Sequence, residues 1–288
     1  MTRLASTTLS NCYVPLTLSS EKKTLEERQA HLIASRSNGD GKSRGPDALR
    51  HLCLETSILS TASGSALVEL GHTKVTCRVE GPITATDSFS NANMDEGVLQ
   101  CSVKYIPVVG MNPQSSVGNA VTTLDSQQHT SMGRITSDTL TLEADLSSNL
   151  HAALLPSIPL AQFPKCLLTI DVTILQDDGS ALSACIVAAS LALADANVEL
   201  YDLVSSCTVA VLGSQILADP TEDELAAANA SVILAILPSW KDVTLWQQSG
   251  KLSGDQVSQA VDLCRDGCRT LQRFMRQCLV ESISKNKR

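Results

Sequence analysis

The junction Leu175-Gln-Asp-Asp-Gly-Ser-Ala-Leu-Ser-Ala-Cys-Ile186 constrains this chain more than any other stretch, because two periodicities meet there. Upstream, Cys166, Leu168, Ile170, Val172 and Ile174 alternate with Thr169, Asp171 and Thr173, which is the period of a strand with one buried face. Downstream, Ala181, Ala184, Ala188 and Ala192 recur at helical spacing, so the helix is thin enough to lie close on a sheet, and Ser180 is read as its N-cap. A further strand follows at 203–212. The segment closes a strand, builds a small-residue helix and enters a second strand.

The flanking sequence repeats this grammar. Ala66, Val68 and Leu70 alternate with Leu67 and Glu69; after Gly71-His72-Thr73, Val75, Cys77 and Val79 alternate with polar residues. That is a half-buried antiparallel hairpin, ended by Gly81-Pro82. A strand is expected at 98–109, a polar surface loop at 111–133, and a helix at 138–155 with Leu142, Leu146 and Leu150 on one face. Residues 156–164 read as a linker, 231–237 and 242–246 as strands. Ser253-Gly-Asp-Gln256 fits a capping box, and Val257, Val261, Cys264, Cys268, Leu271, Met275 and Cys278 then recur at steps of four and three. Strands and helix, then strands and helix again, predict an α+β chain with two similar halves. Domain boundaries are set at 1–43 (extension and connector, with a short helix at 21–28), 44–284 (the domain) and 285–288 (a basic tail).

Aromatic residues are only 3% of the chain while 43% is hydrophobic, so the core must be built from Leu, Val, Ile and Ala. A net charge of −8 argues against a chain that binds nucleic acid by itself, though a local basic channel or partner stays open. The ten cysteines form no CxxC pair, and no secretory leader is evident, so free thiols are expected. Cys264 and Cys268 lie one turn apart and have the spacing of two metal ligands, but both sit on the apolar stripe, which favours core packing. The acidic run Asp219-Pro-Thr-Glu-Asp-Glu224 has two readings: carboxylates for a magnesium ion, or, the one favoured, a helix start with Asp219 as N-cap and Pro220 at the first helical position. Gly41-Lys-Ser43 is not a phosphate loop, because Arg36 stands where a glycine is required.

Residues 44 to 280 resemble the RNase PH family, the phosphorolytic 3′→5′ exoribonucleases and the exosome ring proteins built like them. The resemblance rests on Leu52 to Leu59 with Gly64-Ser-Ala66, Leu70-Gly-His-Thr-Lys-Val75, Gly81-Pro82, Gln176 to Ile186, Leu191 to Val204, Ala218 to Leu225, and Ile236-Leu-Pro238. Asp177 to Leu182 and Asp219-Pro-Thr221 are most similar to a catalytically inert branch of the ring proteins. In catalytic members, the family implies, a Thr-Arg or Ser-Arg pair grips phosphate at the turn into the small-residue helix. Here the pair reads Ala181-Leu182. The family's metal acids fall on about Leu225 and Ser231, with Asp223 and Glu224 reachable by a shift of one or two residues.

The resemblance therefore implies a non-catalytic structural subunit of the RNA exosome ring, without catalytic residues, cofactor or metal. It would support RNA processing and degradation by scaffolding and threading RNA, with Lys104 and Arg78 facing it. The implied partners are other RNase PH-like subunits in a hetero-hexamer, S1/KH-type cap proteins, and RNA in the assembled channel. The implied location is nucleus, nucleolus and cytoplasm. The alternative is an active phosphate-dependent 3′→5′ exoribonuclease assembled as a homohexamer.

Overall fold

The computed structural model describes residues 27–36, 44–84, 96–106 and 137–286. Residues 27–35 form the first helix, α1, within the stretch read as an extension. Its Gln29 amide donates to Ala227 O at 2.7 Å, and Ile33 packs on Ala210, Leu212 and Leu217, so this helix belongs to the folded body.

The alternating runs become a first sheet. β1 (Leu52–Thr56), β2 (Gly64–Leu70) and β3 (Thr73–Thr84) form an antiparallel meander. β3 does not stop at Gly81-Pro82. A bulge between Glu80 and Ile83 carries the strand past them to Thr84, with Gly81 at φ +120° where a side chain would meet Leu167 O. β4 (Val98–Tyr105) forms the edge, and Ile106 beyond it has left the strand. α2 (Ser137–Leu154) then leads to β5 (Cys166–Gln176), which inserts between β3 and β4, antiparallel to the first and parallel to the second.

α2 guards the edge strand. Its Ser147 hydroxyl accepts from Val103 N at 2.9 Å and its Glu143 carboxylate from Tyr105 N at 2.8 Å, using donors that an edge would otherwise expose. Leu146 and Leu150 face the core as the spacing predicts, joined by Leu154, but Leu142 is 54% exposed, because the helix meets the core only over its C-terminal turns. The predicted linker after α2 is two short 3-10 turns, Leu155–Ser157 and Leu160–Gln162, around a buried Ile158. The loop expected at 111–133 lies outside the described residues.

α3 (Ala181–Asp195) is buried from Leu182 to Leu193. It is a central layer, with the inner faces of β2, β3 and β5 on one side and the second sheet on the other. The small residues have the role read for them: at Gly64 a side chain would meet Ala192 O, so strand and helix backbones nearly touch.

β6 (Ser205–Leu212), β7 (Gln215–Ala218), β8 (Ala230–Leu237) and β9 (Asp242–Gly250) make the second sheet, in the order β7-β6-β8-β9 and antiparallel throughout. β7 had no sequence signal, being four residues long. α4 (Glu222–Ala226) separates β7 from β8, and α5 (Gly254–Asn286) covers the outer face of the sheet. The Ser253–Gln256 capping box forms, and Cys264 and Cys268 are fully buried against Cys207, Val209, Val232 and Leu234. Packing is thus the role of the two helical cysteines. Among the described residues, no helix is long and apolar enough to cross a membrane.

Candidate functional site

The site to test is the turn from β5 into α3, Asp177-Asp-Gly-Ser180. Gly179 and Ser180 both adopt left-handed backbone, at φ +85° and +60°. A side chain at Gly179 would collide with Thr221 and Pro220, so the turn is pressed against the start of α4. Asp177 ties the turn together: one oxygen accepts from Gly179 N at 3.0 Å and the other from the Tyr105 hydroxyl at 3.0 Å.

Ser180 is the residue before α3, but its side chain does not cap the helix. Its left-handed backbone turns the hydroxyl away, and it donates to Pro220 O at 3.2 Å instead. Leu182 in the first turn is only 4% exposed and belongs to the main core. Ser183 beside it is buried too, its hydroxyl 2.7 Å from that of Thr208 and 3.1 Å from that of Ser206. The first turn of α3 therefore presents a leucine and a closed hydroxyl cluster.

The two acid positions are equally apolar or neutral. Leu225 packs against Ala210, Leu212 and Leu217 of the second sheet. Ser231 lies in β8 opposite Ala210, on the same face. Of the acids one or two residues away, Asp223 is exposed and Glu224 is buried and already committed. Glu224 closes the capping box of α4, accepting from Thr221 N at 3.0 Å while Thr221 accepts from Glu224 N. Its oxygens also lie 2.9 Å from Arg36 Nε and 3.4 Å from Arg44 Nη2.

Asp219 is not the N-cap of α4; Thr221 is. Asp219 instead sits at φ +48°, fully enclosed, in a bidentate pair with Arg50: Nη2 to Oδ1 at 2.7 Å, Nε to Oδ2 at 3.0 Å, with Arg50 N also donating to Oδ2 at 3.0 Å. Arg50 reaches further, donating to Asp178 O at 2.7 Å and Gly179 O at 3.0 Å. It therefore clamps the phosphate-turn equivalent to the end of β7. Arg36 and Arg44 extend the network by donating to Ala218 O and Asp219 O.

Burial pushes the Asp219 carboxyl up, but the hydrogen bonds and charge of Arg50 outweigh it, and its pKa lies below the ordinary value. Arg44 is lowered to about 10, by burial first and then by the Arg36 charge. Sequence reading missed these three arginines, because their carboxylate partners lie 128 to 188 positions away, from Arg50 and Asp178 to Arg36 and Glu224. Among the described residues, no group of three or more His, Cys, Asp or Glu is placed to hold a metal ion.

Arg78 and Lys104 share the outer face of the first sheet, on strands either side of β5. Arg78 stands opposite Asp171 and is 2.8 Å from Glu80 and 3.5 Å from Asp171, so its charge is compensated. Lys104 stands opposite Thr173 on the edge strand, exposed, with no carboxylate partner recorded among the described residues.

The comparisons with known proteins agree with this architecture. The human exosome complex component MTR3 is 30% identical over 272 residues, covering 89% of this chain and 92% of its own. An Arabidopsis thaliana protein, exosome complex component RRP41-like, is 32% identical over 241 residues, covering 84% of each. An Archaeoglobus fulgidus exosome chain from a structure with RNA in the active site superposes with TM-score 0.65 at 20% identity, covering 87% of this chain and 98% of its own. Rice Rrp46 superposes with TM-score 0.64, covering 81% and 96%. Domain 1 of the 3′ exoribonuclease family matches residues 48–199 and domain 2 matches residues 202–267. With both domains present in order, and the small-residue helix of the first forming the central layer, the chain belongs to the 3′ exoribonuclease (RNase PH) family.

Proposed function

We propose that this chain is a structural, non-catalytic subunit of the exosome ring. The observation that carries the reading is Leu182. Where catalytic relatives place an arginine for phosphate, this chain has a leucine packed into the core. Losing a charge-assisted phosphate contact costs roughly 1.5–3 kcal/mol, about ten-fold or more in binding. The acid positions at Leu225 and Ser231 remove the metal ligands as well, and with them the electrostatic stabilisation on which phosphoryl transfer depends. Glu224 cannot substitute while it is held by Arg36, Arg44 and the α4 cap.

What remains is surface. Among the described residues β9 is an unpaired edge of nine residues with Val243 51% and Trp246 40% exposed, and α5 leaves Phe274, Val280 and Ile283 exposed. Exposed apolar residues on an unpaired edge suit pairing with neighbours. The partners in this reading are other RNase PH-like subunits in a hetero-hexamer, with S1/KH-type caps, acting on RNA in nucleus, nucleolus and cytoplasm. Lys104 is the cation of the first sheet available to RNA; Arg78 contributes less because Glu80 and Asp171 already balance it. The domain in this account is residues 44–284, with α1 packed on its second sheet.

The relatives named Rrp41 support a second reading, an active phosphorolytic nuclease. Incubating the purified chain with single-stranded RNA, magnesium and inorganic phosphate separates them. The structural reading expects no release of nucleoside diphosphates above a protein-free control; phosphate-dependent release would overturn it.

A further inference from the structure

The turn Pro238-Ser-Trp-Lys241 joins β8 to β9 beside α5. It is held firmly: Ser239 N donates to Asp202 at 2.8 Å, and Arg276 of α5 bridges Ser239 Oγ at 3.0 Å and Asp202 at 3.5 Å. Asp202, with its side chain only 5% exposed, also accepts from Gln272 at 3.0 Å. The turn ends with Lys241 at φ +64°, a left-handed position that glycine would fill without strain.

The Lys241 side chain lines a cavity of about 270 Å3 with Arg265, Arg269, Ile236 and Pro238. Three cations therefore converge over an apolar floor on a chain of net charge −8. Among the described residues, Arg265 and Arg269 pair with the exposed Asp262 at 3.8 Å and Asp266 at 3.0 Å. Such pairs are weak enough for a phosphate to displace. Lys241 has no carboxylate partner recorded among the described residues; Asp242 follows it, exposed. One residue before Lys241, Trp240 is 62% exposed and meets the Tyr201 ring edge-on at 6.5 Å. An exposed aromatic ring one residue from a cationic pocket suits single-stranded nucleic acid, which stacks a base on the ring and pairs its phosphate with the cations.

We propose that the pocket of Lys241, Arg265 and Arg269 takes a backbone phosphate of single-stranded RNA, with Trp240 as the platform for an adjacent base. The proposal rests on the ring-subunit reading for its choice of RNA over free phosphate. It places a contact on the opposite side of the second sheet from α3, away from the degenerate phosphate turn.

The test measures binding of a fluorescein-labelled oligouridylate to the full chain by anisotropy across a salt series. Lys241→Gly is the informative variant, since it relieves the left-handed backbone. Its thermal midpoint should hold or rise while RNA affinity falls on the order of ten-fold, with the salt slope reduced by about 0.7. Trp240→Ala should weaken RNA on the order of ten-fold with the slope unchanged. Unaltered RNA affinity in both variants overturns the proposal. So does a Lys241→Gly variant that loses inorganic phosphate, followed by calorimetry, yet binds RNA normally. Copurification run in parallel keeps the two readings apart. Ring partners recovered with a Lys241-independent RNA affinity overturn the pocket alone; a Lys241-dependent affinity without ring partners supports the pocket and counts against the ring.

Discussion

Arg50 and Asp219 meet in a bidentate ion pair, 2.7 and 3.0 Å between heavy atoms, with each side chain only 4% exposed. The pair joins the segment before β1 to the end of β7, and through Asp178 O and Gly179 O it also fixes the turn into α3. Removing one partner strands a buried charge, so Arg50→Met should destabilise the chain by roughly 3–5 kcal/mol in urea unfolding. A loss below about 1 kcal/mol would mean that the pair is not a keystone of the fold.

The same pair sets an acid limit. Asp219 titrates lower folded than unfolded, so its contribution is fully present above the unfolded pKa of about 4 and is lost as pH falls through the lower folded value. Stability measured from pH 6 to pH 2 should drop more steeply in the native chain than in Asp219→Asn, which starts less stable and cannot titrate there. Parallel profiles below pH 4 would remove Asp219 from the acid response.

Gly267 lies in the middle of α5, where alanine would normally strengthen a helix by about 1 kcal/mol. A side chain there would stand 2.7 Å from Cys207 Sγ and 3.3 Å from its Cβ. Overpacking of this kind costs about 1–3 kcal/mol, so the net effect of Gly267→Ala should be destabilising. A raised melting temperature would show that α5 can lift off β6 at little cost.

Cys264 is held in its protonated form by its hydrogen bond with Cys207 and then by burial, and burial pushes Cys268 up as well. Burial likewise raises the fully enclosed Cys185 thiol. Native protein at pH 8 should leave these three unlabelled by a disulfide reagent while half-exposed Cys53 and Cys166 react first. Rapid labelling of Cys264 in folded protein would contradict the packing of α5.

Most of the architecture is legible in the sequence because it is periodic. The 66–79 hairpin, the strand at 166–174 and the four-three stripe of α5 each carry their own period, and the Ser253–Gln256 cap is a local signal. The errors occur where a distant partner overrides a local pattern. Asp219-Pro220 reads as a helix start, yet Arg50, 169 positions away, takes the carboxylate and Thr221 becomes the cap. Ser180 reads as an N-cap, but the press of α4 against Gly179 turns its hydroxyl to Pro220 O. Gly81-Pro82 reads as a stop, and pairing with β5 carries the strand through as a bulge. At the degenerate site, the missing arginine was readable as Leu182; the commitment of Glu224 to Arg36 and Arg44 was not, since no spacing encodes it.

The most direct test of the central claim is to purify the tagged chain from its own cells and identify by mass spectrometry what accompanies it. The account predicts about five other RNase PH-like proteins in near-equal amounts, together with S1/KH-type cap proteins. Recovery of the chain alone, as a hexamer of itself, would contradict it.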